Sequence, residues 1–246
     1  MSVGIVPMGG SACRWLPLVT PKELLPFGTR PDGSPLVAAD CVIDAMAVAD
    51  VERVIIPILP EKATVIMRYL GTRLKNGALI EYIAAPGPTL LSNIVACLPL
   101  VGSKNVFFGM PDTYFTPADI LRRCGERLRD GRECVLGVFP SDNPEQVDLV
   151  FHNNGNADSV WPKPRAVLRQ EGDGWGVAAW DSTFSERIAA WPNHFDPPGA
   201  IFQAVAEEGR GGCGVAVGQS YFDLGSYSNY TRALIELHLL VTDGPE

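Results

Sequence analysis

Two cations stand close to a glycine pair near the start of the chain. After the short apolar run Val3 to Val6 the sequence reads Pro7-Met8-Gly9-Gly10-Ser11-Ala12-Cys13-Arg14-Trp15-Leu16-Pro17, followed by Pro21-Lys22-Glu23-Leu24-Leu25-Pro26. Small residues directly after the first strand of a parallel sheet let backbone N–H groups approach a phosphate. Arg14 and Lys22 on one such loop suit a triphosphate. Neither common phosphate motif is present: no glycine follows Gly10 until Gly28, which excludes GxGxxG, and GxxxxGK[ST] is missing. A tight turn with a solvated Arg and Lys has the same spacing, so these residues alone leave both readings open.

Two aspartates are the next candidates. Asp112 and Asp223 each follow an apolar, strand-like stretch, Val106-Phe107-Phe108 and Tyr221-Phe222. Ligands bind at strand ends in open α/β sheets, although an aspartate there also fits a plain turn. Lys163 lies between Pro162 and Pro164, and the following proline biases it to extended backbone. His152, His194 and His238 show no partner spacing. The six cysteines, at 13, 41, 97, 124, 134 and 213, form no CxxC pair. That excludes zinc-ribbon and thioredoxin readings and leaves small buried thiols of a reducing cytoplasm.

The elements that would position these groups follow from apolar periodicity. Strands are expected at Val3 to Val6, Val54 to Ile58, Leu79 to Ile83, Asn105 to Gly109 and Cys134 to Phe139. Between them helices are expected at Leu36 to Ala49, Glu61 to Leu70, Leu90 to Leu98 and Pro117 to Leu128, the last with Thr116 as N-cap. Strands alternating with helices imply βαβ units and a mainly parallel sheet. The second half differs. Val147 to His152 and Ala157 to Trp161 flank Asn153-Asn154-Gly155-Asn156, a hairpin signal. Trp175 to Trp180 reads as a strand, Asp181 or Ser182 as the cap of a helix to Trp191, and Gly209 to Gly214 as a loop. Short strands at Val215 to Val217 and Tyr221-Phe222 precede a closing helix, Ser226 to Val241.

Composition bounds the function. The chain has 246 residues, 20 Lys+Arg against 28 Asp+Glu, a net charge of -8 and 46% hydrophobic residues. It is long enough for one large domain. The acidic balance argues against a nucleic-acid coat but allows a small phosphorylated ligand in a local basic pocket. No apolar run approaches a membrane span, and the N-terminus lacks the basic n-region of a signal peptide, so no membrane partner and a cytoplasmic location are expected.

The ordered set of motifs resembles the sugar-1-phosphate nucleotidyltransferases, of the glucose-1-phosphate thymidylyltransferase type. Their signature, A-G-G-x-G-T-R-L-x-P and then P-K-x-L-L-P, stands here as Met8 to Pro17 and Pro21 to Pro26. Later landmarks keep family order. Pro111-Asp112 stands for Gly-Asp, and Asn143-Pro144-Glu145-Gln146-Val147-Asp148-Leu149-Val150 for D-P-E-x-Y-G-V-V. Trp161-Pro162-Lys163-Pro164 stands for the E-K-P stretch, and Tyr221-Phe222-Asp223-Leu224-Gly225-Ser226 for W-x-D-x-G-T. The resemblance covers essentially the whole chain. It implies transfer of a nucleoside monophosphate from an NTP to a sugar 1-phosphate or similar small phosphorylated acceptor, releasing pyrophosphate.

Residue by residue, the resemblance implies that Arg14 and Lys22 are catalytic, with Arg14 on the β- and γ-phosphates and Lys22 near the α-phosphate. Met8, Gly9, Gly10, Ser11, Ala12 and Cys13 would bind the nucleotide. Lys163 and Asp148 would serve the acceptor, and Asp112 and Asp223 would hold Mg²⁺. It also implies an α/β, Rossmann-like three-layer sandwich with a mainly parallel central sheet and a small β-rich acceptor-binding insertion. The expected organisation is a single domain over 1–246, with 1–140 as the nucleotide half and 141–246 as the acceptor half. Members are often oligomers, so a homo-oligomer is allowed, though no sequence feature here fixes one.

The departures from the pattern fall mostly on recognition. Ala12 replaces the third glycine, Cys13 the threonine and Trp15 the leucine, and the stretch from Pro17 to Pro21 is short. Ala85 stands where the base-contacting Gln is common, Asp148 where a sugar-contacting Gly is common, and Pro162 where a sugar-contacting Glu is common. Asp148 points to a modified acceptor, such as an amino or deoxy sugar phosphate, a cyclitol phosphate or a phosphonate. The rival readings are a catalytically degenerate nucleotide- or sugar-binding regulatory paralogue, and a cytidylyltransferase for a non-sugar phosphate or phosphonate.

Overall fold

The computed structural model describes residues 2–10, 20–30, 32–85, 87, 89–141, 145, 147–163, 172–209 and 211–242, with side chains to residue 237. In chain order the strands are β1 (Ser2–Ile5), β2 (Pro26–Thr29), β3 (Pro35–Val37), β4 (Arg53–Ile58), β5 (Leu79–Ala84), β6 (Asn105–Gly109), β7 (Thr113–Thr116), β8 (Cys134–Phe139), β9 (Leu149–Asn153), β10 (Asn156–Trp161), β11 (Asp173–Trp180), β12 (Cys213–Val217) and β13 (Ser220–Asp223). The helices are α1 (Ala38–Val48), α2 (Pro60–Leu70), α3 (Leu90–Val101), α4 (Ile120–Leu128), α5 (Ser182–Ala189), α6 (Gly199–Glu207) and α7 (Tyr227–Thr242).

Nine strands form one sheet in the order β5-β4-β1-β6-β11-β8-β12-β10-β9, with β11 also paired to β9. The first four are mutually parallel, as βαβ units require. From β11 onward the sheet is mixed: β11 runs antiparallel to β6, β8 and β9, whereas β8 and β12 are parallel. A mainly parallel sheet therefore holds only for the first half of the order. The β9–β10 hairpin is not a separate insertion; it continues the main sheet as its edge, turning on Asn154 (φ 48°) and Gly155 (φ 79°). Positive φ at both central residues is what an Asn-Gly hairpin turn needs.

Helices cover both faces, giving three layers. One core joins β1, β6 and β8 to α3, α5 and α6 through Leu91, Ile94, Phe184, Ile188, Phe202 and Val205. The other joins the sheet to α1, α2 and α4 through Val42, Met46, Ile66, Ile120, Leu121 and Cys124. Helix starts are chemically marked. The Asp40 carboxylate accepts from Val37 N at 2.8 Å, Thr89 Oγ1 from Ser92 N at 3.1 Å, and Asp181 Oδ1 from Phe184 N at 3.0 Å.

Two expectations about local structure need correction. Thr116 caps no helix. Its carbonyl accepts from Gln219 N at 2.8 Å in the ladder of β7 with β13, the Thr116–Pro117 peptide is cis, and α4 begins only at Ile120. Helix α6, directly after Pro197-Pro198, has no counterpart in the sequence reading, and Cys213-Gly214 belong to β12 rather than to a loop.

Candidate active site

A cleft of about 700 Å³ opens between the ends of β6, β9 and β13, over the Trp175–Gly176 stretch of β11. Asp112, Asp223, Lys22, Lys163 and Asp148 all line it. The strands that deliver the two aspartates are short and were legible only in part. Asp112 sits in the turn between β6 and β7, and Asp223 ends β13. Antiparallel pairing of β13 with β7 sets Asp223 opposite Thr113, and Leu224 N donates to the Asp112 carbonyl at 2.8 Å. Asp223 Oδ1 accepts from Gly225 N at 2.7 Å, which fixes the carboxylate at the strand end.

Lys22 opens a single 3-10 turn, Lys22–Leu24, and its ammonium donates to Asp112 Oδ2 at 2.5 Å. Asp112 is 4% exposed, so this is a nearly dry ion pair. The turn is clamped from behind. Glu23 is fully buried and its Oε1 accepts from Lys62 Nζ, on α2, at 2.8 Å. Among the described residues Glu23 Oε2 meets no donor.

Tyr221 forms part of the cleft floor. Its ring lies so close to Gly176 that a Cβ there would fall 2.1 Å from Cε2, so only glycine admits it. Burial, then the charges of Asp223 and Asp112, push its phenol well above the ordinary value, and a hydrogen bond to Thr113 opposes them.

On the other side of the cleft Asp148 is 6% exposed and ties three segments together. Its Oδ1 accepts from Lys163 N at 3.2 Å and its Oδ2 from Trp175 Nε1 at 3.1 Å. Gly199 N, at the start of α6, also donates to it, and a Cβ on Gly199 would lie 2.3 Å from Oδ2. Burial raises the carboxyl above its usual range; the Trp175 bond, the Lys163 charge and the main-chain donors only partly offset this. Lys163 is exposed and its φ is 34°, not the extended conformation expected before proline. The pull of its N–H onto Asp148 is the physical reason, against a cost of order 1–3 kcal/mol for such a backbone.

The glycine pair has a different role at each position. Met8 is fully buried, and its N–H donates to Pro57 O at 2.8 Å as an extension of the β1–β4 pairing. Gly9 is required by close approach: a Cβ would lie 2.7 Å from the Ala85 Cβ and 3.0 Å from Asn93 Nδ2. Among the described residues nothing lies within 4 Å of a Cβ built on Gly10. Both glycines line a recess of about 100 Å³ beside the cleft, with Lys22, Glu23 and Asn93. Ser11, Ala12, Cys13 and Arg14 lie outside the described residues.

Sequence reasoning missed Asn93, Trp175 and the 195–198 segment. Asn93 is 3% exposed, its Nδ2 donates to Gly87 O and Thr89 O, and among the described residues its Oδ1 has no donor. The Thr89-to-Ser92 cap was the available signal for it; nothing local marks the others. No group of three or more metal-ligating side chains occurs among the described residues. Two carboxylates nevertheless fit Mg²⁺, a hard cation that takes oxygen ligands and usually keeps waters and phosphate oxygens.

No protein-family model and no curated protein matches the chain. Solved structures do. A structure described as a glucose-1-phosphate thymidylyltransferase from Bacillus anthracis, in complex with a sucrose, superposes with a TM-score of 0.82 at 19% identity, covering 100% of this chain and 97% of that one. A UDP-glucose pyrophosphorylase complexed with UDP-glucose gives 0.78 at 13% identity, covering 98% and 99%. The UDP-glucose pyrophosphorylase from Acinetobacter baumanii gives 0.75 at 15%, covering 99% of each chain. The chain therefore has the fold of the sugar-1-phosphate nucleotidyltransferases.

Proposed function

We propose that this protein is a nucleotidyltransferase that moves a nucleoside monophosphate from an NTP to a small phosphorylated acceptor, with release of pyrophosphate. The observation that carries the reading is the convergence, in one cleft, of the Lys22–Asp112 pair and Asp223 on one side with Lys163 and Asp148 on the other. Residues 1–140 would take the nucleotide and 141–246 the acceptor, within a single domain.

The physical problem is to bring two polyanions into contact. An acceptor phosphate oxygen must approach the α-phosphorus in line with the departing pyrophosphate, so positioning and charge neutralisation dominate. Lys22 stands at the nucleotide side and neutralises the α-phosphate region. Lys163 draws the acceptor phosphate from the opposite wall. The glycine pair lets the main chain approach the phosphates; Ser11, Ala12 and Cys13 would bind the nucleotide and Arg14 its β- and γ-phosphates. Asp112 and Asp223 would hold Mg²⁺, which when bound supplies positive charge for the phosphate oxygens. Asp112 then has a second duty: it fixes the Lys22 ammonium, so that the lysine is aimed before substrate arrives.

The reading is tested by measuring pyrophosphate release with ATP, GTP, CTP, UTP and dTTP against a panel of phosphorylated acceptors. Turnover with at least one pair, lost in Asp112→Asn, is the expected result. No release from any pair would overturn it. Among the described residues no helix is long and apolar enough to cross a membrane.

A further inference from the structure

Among the described residues no hydroxyl or amide side chain lines the acceptor side of the cleft. Its walls there are Val147, Trp175, Gly176, Phe195, Pro197 and Pro198, and its polar side chains are Asp148, Asp196 and Lys163. The three hydroxyl side chains lining the rest of the cleft are engaged internally. Thr89 Oγ1 donates to His194 O at 2.7 Å, Thr113 Oγ1 donates to Met110 O at 2.9 Å, and Tyr221 is bonded to Thr113. A sugar ring desolvated against such walls would leave several hydroxyls without partners, each at a cost.

The two carboxylates have a complementary deficit. Asp148 is held by the indole of Trp175 and by main-chain N–H groups. Asp196 is held by Trp191 Nε1 at 2.9 Å and Asn193 Nδ2 at 2.7 Å. All of these donors are neutral, and among the described residues no salt bridge reaches either carboxylate. The buried Asp148 carboxylate has only neutral donors within hydrogen-bond reach, the Lys163 charge offsets its burial only in part, and Asp196 is half-buried. Beside it stand Trp175 and the 77% exposed ring of Phe195, faces that attract a cation and cover apolar carbon.

We infer that the acceptor is a short zwitterion: a phosphomonoester or phosphonate whose anionic end meets Lys163 and whose ammonium end, on a small apolar tether, lies against Asp148, Asp196 and the Trp175–Phe195 walls. This rests on the transferase reading and narrows its acceptor class. No atom of the reaction changes: the acceptor's phosphate or phosphonate oxygen forms the new bond to the α-phosphorus, and pyrophosphate leaves with the bonding pair.

The experiment compares acceptors that share the anion and differ in the tail: 2-aminoethyl phosphate, 2-aminoethylphosphonate, phosphocholine, ethyl phosphate and glucose 1-phosphate, each with the five NTPs. The expected result is a kcat/KM for at least one ammonium-bearing acceptor at least about tenfold above ethyl phosphate and glucose 1-phosphate. The three ammonium arms separate ester from phosphonate and primary from quaternary amine. Asp148→Asn should bring the ratio of 2-aminoethyl phosphate to ethyl phosphate towards one; the wild-type comparison decides the matter alone if that variant does not fold. Equal or better turnover with ethyl phosphate or glucose 1-phosphate overturns the zwitterion and leaves the transferase reading standing. If no pair releases pyrophosphate, the transferase reading falls. Calorimetric titration of the wild type with 2-aminoethyl phosphate and ethyl phosphate then decides the ammonium site: preference for the amine supports it, equal binding overturns it.

Discussion

The Lys22 ammonium and the Asp112 carboxylate are joined at 2.5 Å, with side chains 12% and 5% exposed, across ninety positions of sequence. The pair is a preformed cation–anion couple at the end of β6. It links the lysine that would face the α-phosphate to an aspartate that would hold a metal.

Asp112→Asn should lower pyrophosphate release by at least about 100-fold, the scale of removing one preorganised charge. Lys22→Met should do the same. The double variant should be no worse than the poorer single, because both act through one couple. Additive losses in the steady-state rates would separate the two roles.

Lys163→Ala should mainly raise the acceptor KM if its contact is equal in ground and transition state, and should lower kcat as well if it strengthens at the transition state. Initial-rate measurements over acceptor concentration distinguish these. No change in either constant would remove Lys163 from the acceptor site.

Lys62→Ala leaves the fully buried Glu23 without its cation, and breaking such a pair costs about 3–5 kcal/mol. Replacing both residues by methionine should restore most of that loss. Urea unfolding checks the stabilities, and activity reports whether the turn carrying Lys22 has moved. A Lys62→Ala protein as stable as wild type would contradict the clamp.

Gly176→Ala drives a methyl into the Tyr221 ring and should destabilise by about 1–3 kcal/mol. Because Tyr221 lies two residues before Asp223 on β13, activity should fall further than stability alone explains. Thermal melts and rates measured together decide it.

Asp148 should leave a mark on the pH dependence of folding. Its carboxyl is raised in the folded state, so the native protein holds that proton to higher pH than the unfolded chain does. Its contribution is present in full below the ordinary carboxylate value, about 4, and is lost as pH rises through the raised value. Asp148→Asn should flatten this part of the melting-temperature profile whatever its absolute stability. An unchanged slope would assign the titration elsewhere.

Sequence legibility followed the range of the interactions. The β1, β4, β5 and β6 strands with α1 to α3 were readable because each is a short apolar run or a 3.6-residue pattern, set by local sequence alone. Asp112 and Asp223 were readable as strand-end residues. Their meeting was not, because it depends on β7, four residues whose pairing with β13 is a tertiary event. Lys163 was legible as a cation and wrong in backbone: proline sets a local preference, whereas the Asp148 bond closes the open end of the β9–β10 hairpin. Helix α6 was hidden because a proline pair before Gly199 reads as loop, although Pro is well suited to a helix start.

The β11 strand also sets a length. Asp112 follows β6, Asp148 precedes β9, and β11 is hydrogen-bonded to both, at Val177 with Gly109 and at Gly174 with Leu149. β8 pairs with the same two residues of β11, through Gly137 and Phe139, so β6 and β9 share the opposite edge and meet it end to end, three residues or roughly 10 Å apart along the strand. That interval is set by the length of β11 and cannot widen without breaking its ladder hydrogen bonds. The cleft is thus a gauge of fixed jaw, and what bridges it is sorted by reach before any side chain is consulted.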